Sequence, residues 1–337
     1  MDLLTQGLLG ASLAQAGAKK NEVRVAAGAG FVAAILADAD VLISSAQDPL
    51  LNIEFHRHFT HSLIFIPIGG LLAALILWPL LRRRLGFGRL LVFTLLGYAT
   101  SGLLDACTSY GTHLLWPFDD TRIAWSIIAI IDPVFSLFLL VAVALGLRYC
   151  KPGPARIGLM LAGAYLLIGA WQHHRAYEIA TGLAAERGHQ AERVLVKPTM
   201  ANLLLWRSVY QSADAFHIDA IRIGLFAENR VYPGTQARRF VPERDKPELV
   251  AGSPLSHDIR RFFILSNDFV AEDPVRDNVL IDVRYSMLPT LLAPLWGIDM
   301  NLDSADEHAR FVTYRDRPDD IRQRYMAMLL GRDLPAE

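Results

Sequence analysis

Apolar residues form long unbroken runs over the first half of the chain and short alternating patterns over the second. The clearest run is Ser62 to Leu81, which carries no charge and is closed by Arg82, Arg83 and Arg84. A helix needs around 20 apolar residues to cross a bilayer, and this run has that length. Leu90 to Leu104 leads into Asp105, and Val25 to Ile43 is apolar except at Asp38 and Asp40. Ala155 to Trp171 follows Arg148, Lys151 and Arg156, and Leu3 to Ala18 is a shorter companion. Ile123 to Leu147 reads as a further long span, interrupted only at Asp132-Pro133. From about Tyr177 the period shortens. Ala220 to Phe226 and Val279 to Tyr285 alternate as strands do. Pro, Gly and charge clusters near 232–258 read as turns, and Pro318 to Leu330 as a closing helix.

The pattern predicts a mainly α fold: a polytopic transmembrane helix bundle over residues 1–175, then a smaller α+β, β-rich extramembrane domain over residues 176–337. Composition agrees. Of 337 residues, 53% are hydrophobic and 20% charged, against about 25% charged in ordinary soluble domains. The formal net charge of −1 gives no electrostatic reason for nucleic-acid binding, and none is expected. Cys107 and Cys150 fall near opposite ends of the predicted spans and are not expected to pair; two cysteines are too few for a thiolate zinc site. The Ala/Gly-rich stretch Ala11 to Ala18 looks like a cleavage site, but Asp2 precedes it and Lys19 and Lys20 follow, the reverse of a signal peptide. The segment is expected to stay in the mature protein.

Loop charge sets an orientation. Lys19, Lys20, Arg24, Arg82, Arg83, Arg84, Arg89, Arg148, Lys151 and Arg156 share one side, whereas the opposite connections, 44–61 and 105–122, hold only Arg57 and Arg122. The basic side is predicted cytoplasmic. Asp38, Asp40, His56, His61 and Asp105 then gather near the outer face, and the second domain lies outside the cytoplasm. Polar residues do collect at helix ends. Two carboxylates inside an apolar run are costlier, several kcal/mol each if unpaired, so a compensating cation is expected.

Imidazoles bind divalent metals at neutral pH and carboxylates add charge to hold them. His56-Arg-His-Phe-Thr-His-Ser62 supplies His56 and His61, with Thr60 or Ser62 read as a helix cap. Asp38 and Asp40, two apart, cannot share a helix face, but can reach one ion, or one each of a pair, if the helix ends there. Asp132 reads equally as an intramembrane functional acid or as a structural partner, and His113, His173 and His174 as interfacial residues. Gly-rich phosphate loops, Gly-x-Ser-x-Gly and His-Glu-x-x-His are absent.

Taken together, Thr5-Gln-Gly-Leu-Leu-Gly10, Asp38-Ala-Asp40, His56 to Ser62, Asp105-Ala-Cys-Thr-Ser-Tyr-Gly-Thr112 and Trp116-Pro-Phe118 resemble the YdjM-like membrane-bound metal-dependent hydrolases. That family is also described as LexA-binding and inner-membrane-associated. The resemblance covers roughly residues 1–175 and implies Asp38, Asp40, His56, His61 and Asp105 as ligands of one or two divalent ions, zinc or manganese by donor type. It implies a multi-pass protein of the bacterial inner membrane. The chain departs from the family at Gln6, where the pattern has His; an amide oxygen is the weaker donor. His58 stands where the family often has a small residue.

The expected function is an inner-membrane metal-dependent hydrolase whose ion activates water at the outer face, with Asp40 and Arg57 as catalytic residues. A small phosphoester or a lipid-linked molecule is the expected substrate, and the bilayer the expected partner. The rival expectation is a transporter or scaffold with a structural ion, favoured by Asp132 in mid-span. A LexA association fits poorly with a tail outside the cytoplasm.

Overall fold

The computed structural model describes residues 1–225, 228–247, 249–302, 306–314 and 320–334, which divide into two compact units. The first comprises Met1–Ile43, Phe55–Trp171 and Met200–Asn202. Its helices are α1 (Leu3–Ala16) and α2 (Val23–Leu36), with α3 (Leu51–Phe55) reaching it only at its last residue. They continue with α4 (Ile66–Leu81), α5 (Phe87–Ala106), α6 (Pro133–Tyr149) and the unit's share of α7 (Gly153–Glu186). Asp2 starts α1 by accepting a hydrogen bond from the Thr5 amide. α1, α2 and α5 pack at backbone distance because their contacts are glycines. A Cβ on Gly30 would lie 2.4 Å from the Gly10 carbonyl oxygen, and one on Gly97 would lie 2.3 Å from that of Gly30. Small residues at crossings are how helices associate where no water drives them together.

α2 stops at Leu36 and tightens into a 3-10 turn, Ala37–Leu42, that carries Asp38 and Asp40. Two further single turns, Phe59–His61 and Leu63–Phe65, precede α4. Among the described residues, four helical stretches are long and apolar enough to cross a membrane: Val23–Leu42, Leu63–Leu81, Phe87–Ala106 and Gly153–Glu186. On α4 the apolar side chains Leu71, Leu72, Leu75 and Ile76 are exposed.

The predicted span Ile123 to Leu147 is corrected. Its first part belongs to an irregular segment following α5, and the helix begins only at Pro133. A proline disfavours helix in the residue before it yet suits a first helical turn, so Asp132 becomes the N-cap, accepting from the Val134 and Phe135 amides at 3.1 Å each. What remains, Pro133–Tyr149, is a shorter apolar helix of 17 residues.

The second unit comprises Ser44–Glu54, Gln172–Thr199 and Leu203–Glu337. Residues 44–54, read from sequence as part of a membrane-face connection, group here instead. One antiparallel sheet holds β1 (Arg193–Pro198), β2 (Leu205–Ser212), β3 (Ala215–Arg222) and β4 (Arg230–Arg238) in chain order. Two helices follow, α8 (Pro242–Asp245) and α9 (Pro254–Leu265). The other sheet holds β5 (Val270–Glu272), β6 (Val279–Asp282), β7 (Trp296–Asp299) and β8 (Arg310–Thr313), and α10 (Ile321–Leu330) closes the chain. Val209, Phe216 and Ile218 of the first sheet share a core with Phe269, Ala271, Val279 and Ile281 beside and within the second. The expected strand to Phe226 ends at Arg222, Phe226 lying outside the described residues. The closing helix starts at Ile321, and Pro318 is likewise outside them.

Candidate metal centre

Three segments of the first unit supply the site. The 3-10 turn after α2 brings Asp38 and Asp40, the segment before α4 brings His56 to His61, and the last turn of α5 brings Asp105. His61 sits at the middle, 2% exposed. Its Nε2 lies 3.1 Å from Asp105 Oδ2 and 3.6 Å from Asp38 Oδ1, and its Nδ1 is 3.4 Å from Asp40 Oδ2. His56 Nδ1 is 3.1 Å from Asp40 Oδ1. The residues fall into two sets of metal-ligand spacing, Asp38–His61–Asp105 and Asp38–Asp40–His56, which share Asp38.

A chain of hydrogen bonds orients the imidazole. Thr60 Oγ1 donates to Asp40 Oδ2 at 2.8 Å and lies 3.0 Å from His61 Nδ1. With the hydroxyl hydrogen directed at Asp40, the Nδ1–H donates to the hydroxyl oxygen, and Nε2 is turned toward Asp38 and Asp105. A ring nitrogen held this way by its opposite side is the usual arrangement of a metal-binding histidine. Burial alone lowers the pKa of His61, but hydrogen bonding to Asp105 and Asp40, with the carboxylate charges of Asp105 and Asp38, raises it to about 9. Without an ion, the imidazolium itself is one of the cluster's compensating charges.

The fit to a divalent ion rests on atoms left over. Asp38 Oδ2 and Gln6 Oε1 are buried without a hydrogen-bond partner in the protein, and His61 Nε2 faces only the carboxylates of Asp105 and Asp38. Buried polar groups are ordinarily satisfied, and two unsatisfied oxygens beside an imidazole are donors suited to a cation. The donors are all nitrogen and oxygen, and the distances from His61 Nε2 match edges of a coordination shell of radius about 2.0–2.2 Å.

Arg57 adopts φ +61°, a conformation unfavourable for a side-chain-bearing residue. Its backbone is held there from three directions: its amide donates to Asp40 Oδ2 at 2.8 Å, while Thr112 Oγ1 and the His113 amide donate to its carbonyl at 2.9 and 3.2 Å. The guanidinium is buried, with Nε 3.3 Å from Asp105 Oδ2 and Nη2 donating to the Met1 carbonyl at 3.1 Å. Its Nη1 has no hydrogen-bond partner. The Met1 ammonium also contacts Asp105.

The roles of three contributors were not read from the sequence. Gln6 donates through Nε2 to Asp105 Oδ2 at 2.7 Å, so it orients that carboxylate. Thr60, read as a cap, bonds Asp40, and Ser62 donates back to the Phe59 carbonyl; neither caps a helix. Gly102 lets α5 touch the His61 backbone, since a Cβ there would meet the His61 carbonyl oxygen at 2.1 Å. A glycine three positions before Asp105 was the available signal.

Other expected polar residues lie elsewhere. Asp132 caps α6 and accepts from Tyr165 Oη at 2.8 Å, the structural use that was one of its two expected readings. His58, which stands where the family often has a small residue, faces Asp120 at 3.3 Å, alongside His113 at 3.2 Å. Burial, with Arg122 and His58 nearby, lowers His113 to about 4. His173 packs on Trp206, and His174 pairs with Glu178 at the surface. In the second unit, Asp48, Asp258 and His308 have metal-ligand spacing too, but the Arg261 guanidinium already lies among them, 2.9 Å from Asp48 and 3.0 Å from Asp258.

A family profile described as YdjM inner membrane protein matches residues 1–176. The chain is 36% identical over 108 residues to the inner membrane protein YbcI of Escherichia coli strain K12. That match takes in 30% of this chain and 60% of the relative's length. No solved structure matches.

Proposed function

The chain belongs to the YdjM inner membrane protein family, and on that premise we propose that it is a multi-pass, metal-dependent hydrolase whose site lies at the outer face of the inner membrane. The observation that carries this reading is the buried meeting of Asp38, His61 and Asp105, with Asp38 Oδ2 left without a hydrogen-bond partner. In this reading the four long apolar stretches span the bilayer, the basic loops face the cytoplasm and the second unit lies outside it.

Asp38, His61 and Asp105 would hold one divalent ion, and Asp38, Asp40 and His56 a second. The nitrogen and oxygen donors suit zinc or manganese. Such an ion supplies Lewis acidity and lowers the pKa of water. The protein's own groups do the rest. Thr60 and the Arg57 amide fix the Asp40 carboxylate, whose position beside His61 and His56 suits a proton acceptor. Arg57 Nη1, buried with no partner, is placed to neutralise an anionic oxygen of the substrate. An anion-binding guanidinium at headgroup depth favours a phosphoester or lipid-linked phosphate.

The test is a screen of phosphoesters and lipid-linked phosphates with the full chain purified in detergent and loaded with zinc or manganese. We expect turnover that His61→Ala and Asp40→Ala abolish along with metal binding. Full metal content in both variants would defeat the reading.

A further inference from the structure

We propose that His58, His113 and Asp120 form a further divalent-metal site, separate from the buried cluster, that fastens the segment following α5 to the turn preceding α4. His58 Nε2 and His113 Nδ1 both address one oxygen, Asp120 Oδ1, at 3.3 and 3.2 Å, and His113 Nδ1 is also 2.8 Å from the Asp120 carbonyl oxygen. The two imidazole rings stand 4.4 Å apart between centroids.

These separations decide between two readings. Charge-assisted hydrogen bonds between nitrogen and carboxylate run about 2.7–2.9 Å, shorter than either imidazole–carboxylate distance here. Donors sharing an ion at about 2.0–2.2 Å stand about 2.8–3.5 Å from one another, the edge lengths of octahedra and tetrahedra. Both imidazole–carboxylate distances fall in that interval, while the 2.8 Å contact of His113 Nδ1 with the Asp120 carbonyl oxygen is an ordinary hydrogen bond. His58 Nε2, His113 Nδ1 and Asp120 Oδ1 thus make a two-nitrogen, one-oxygen set of metal-ligand spacing, which suits zinc and its first-row neighbours.

Access and location fit the role. The His58 and His113 side chains are largely buried, whereas that of Asp120 is 76% exposed, so an ion can enter from solvent and water can complete its shell. His113 and Asp120 lie in the segment that also delivers Thr112 to the Arg57 carbonyl. An ion here would tie that segment to the turn bearing His58 and so brace the backbone around Arg57. In the Asp48–Asp258–His308 group, by contrast, a guanidinium holds the cation's place.

The test compares zinc content by elemental analysis after dialysis of the full chain, wild type against His58→Gln and Asp120→Ala. Each variant should carry one equivalent less than wild type, and combining Asp120→Ala with His61→Ala should lose more than either alone. Because the Asp120 side chain is exposed, Asp120→Ala decides the matter if His58→Gln does not fold. Zinc should also slow backbone hydrogen exchange over 107–122 in wild type but not in Asp120→Ala. Undiminished zinc content in Asp120→Ala overturns the proposal.

Discussion

His61 anchors the account because its two ring nitrogens have different tasks. Nδ1 is tied through Thr60 to Asp40, and Nε2 faces Asp38 and Asp105. Its raised pKa, about 9 against an ordinary 6.5, gives the sign of two effects. In the metal-free protein the protonated ring contributes stability fully below the ordinary value, and that contribution fades as pH rises through about 9. An ion must displace that proton, so zinc affinity should rise with pH by up to about tenfold per unit below pH 9, as chelator competition at several pH values would read. Thr60→Val should weaken zinc binding by about 10–100-fold by freeing the ring, and Thr60→Ser should restore it. The members of the cluster were legible in the sequence, since hydropathy and loop charge alone put Asp38, Asp40, His56, His61 and Asp105 at one end of the bundle. Thr60 and Gln6 were not. Their roles depend on where a hydroxyl and an amide point once separate segments have met.

At the scale of elements, the site exists because helices stop where they do. α2 gives way to a 3-10 turn at Ala37, which lets two carboxylates two residues apart serve one site. α5 approaches the His61 backbone at Gly102, so Gly102→Ala must push that segment away. Overpacking of this kind costs about 1–3 kcal/mol, and the variant should lose both thermal stability and zinc affinity. Asp132→Ala should cost stability alone, about 1–2 kcal/mol for a lost N-cap, with zinc affinity unchanged; a thermal melt and a zinc titration read the two separately. Apolar content misled at this scale. Ile123 to Ile131 is as hydrophobic as a span, yet Pro133 sets the helix start, and Trp125, Ile127 and Ile128 instead bond through their amides to the Ala106 and Cys107 carbonyls. Hydropathy registers what a segment avoids, not whether it is helical.

For the whole molecule, the change of period near Tyr177 signalled a different architecture, but not how the eight short strands among the described residues divide into two sheets. Register and pairing come from long-range contacts that alternation does not encode. The orientation proposed from loop charge is open to a direct check: alkaline phosphatase fused after the last residue should be active, and a fluorescent protein that folds only in the cytoplasm should stay dark there. The central claim is that carboxylates and an imidazole from separate segments hold an ion. Calorimetric titration of zinc into the detergent-solubilised full chain, beside Asp105→Asn, tests it most directly, because the substitution keeps shape while removing charge. The account predicts binding in wild type with an Asp105-dependent component that disappears in the variant; identical isotherms for the two proteins would contradict it.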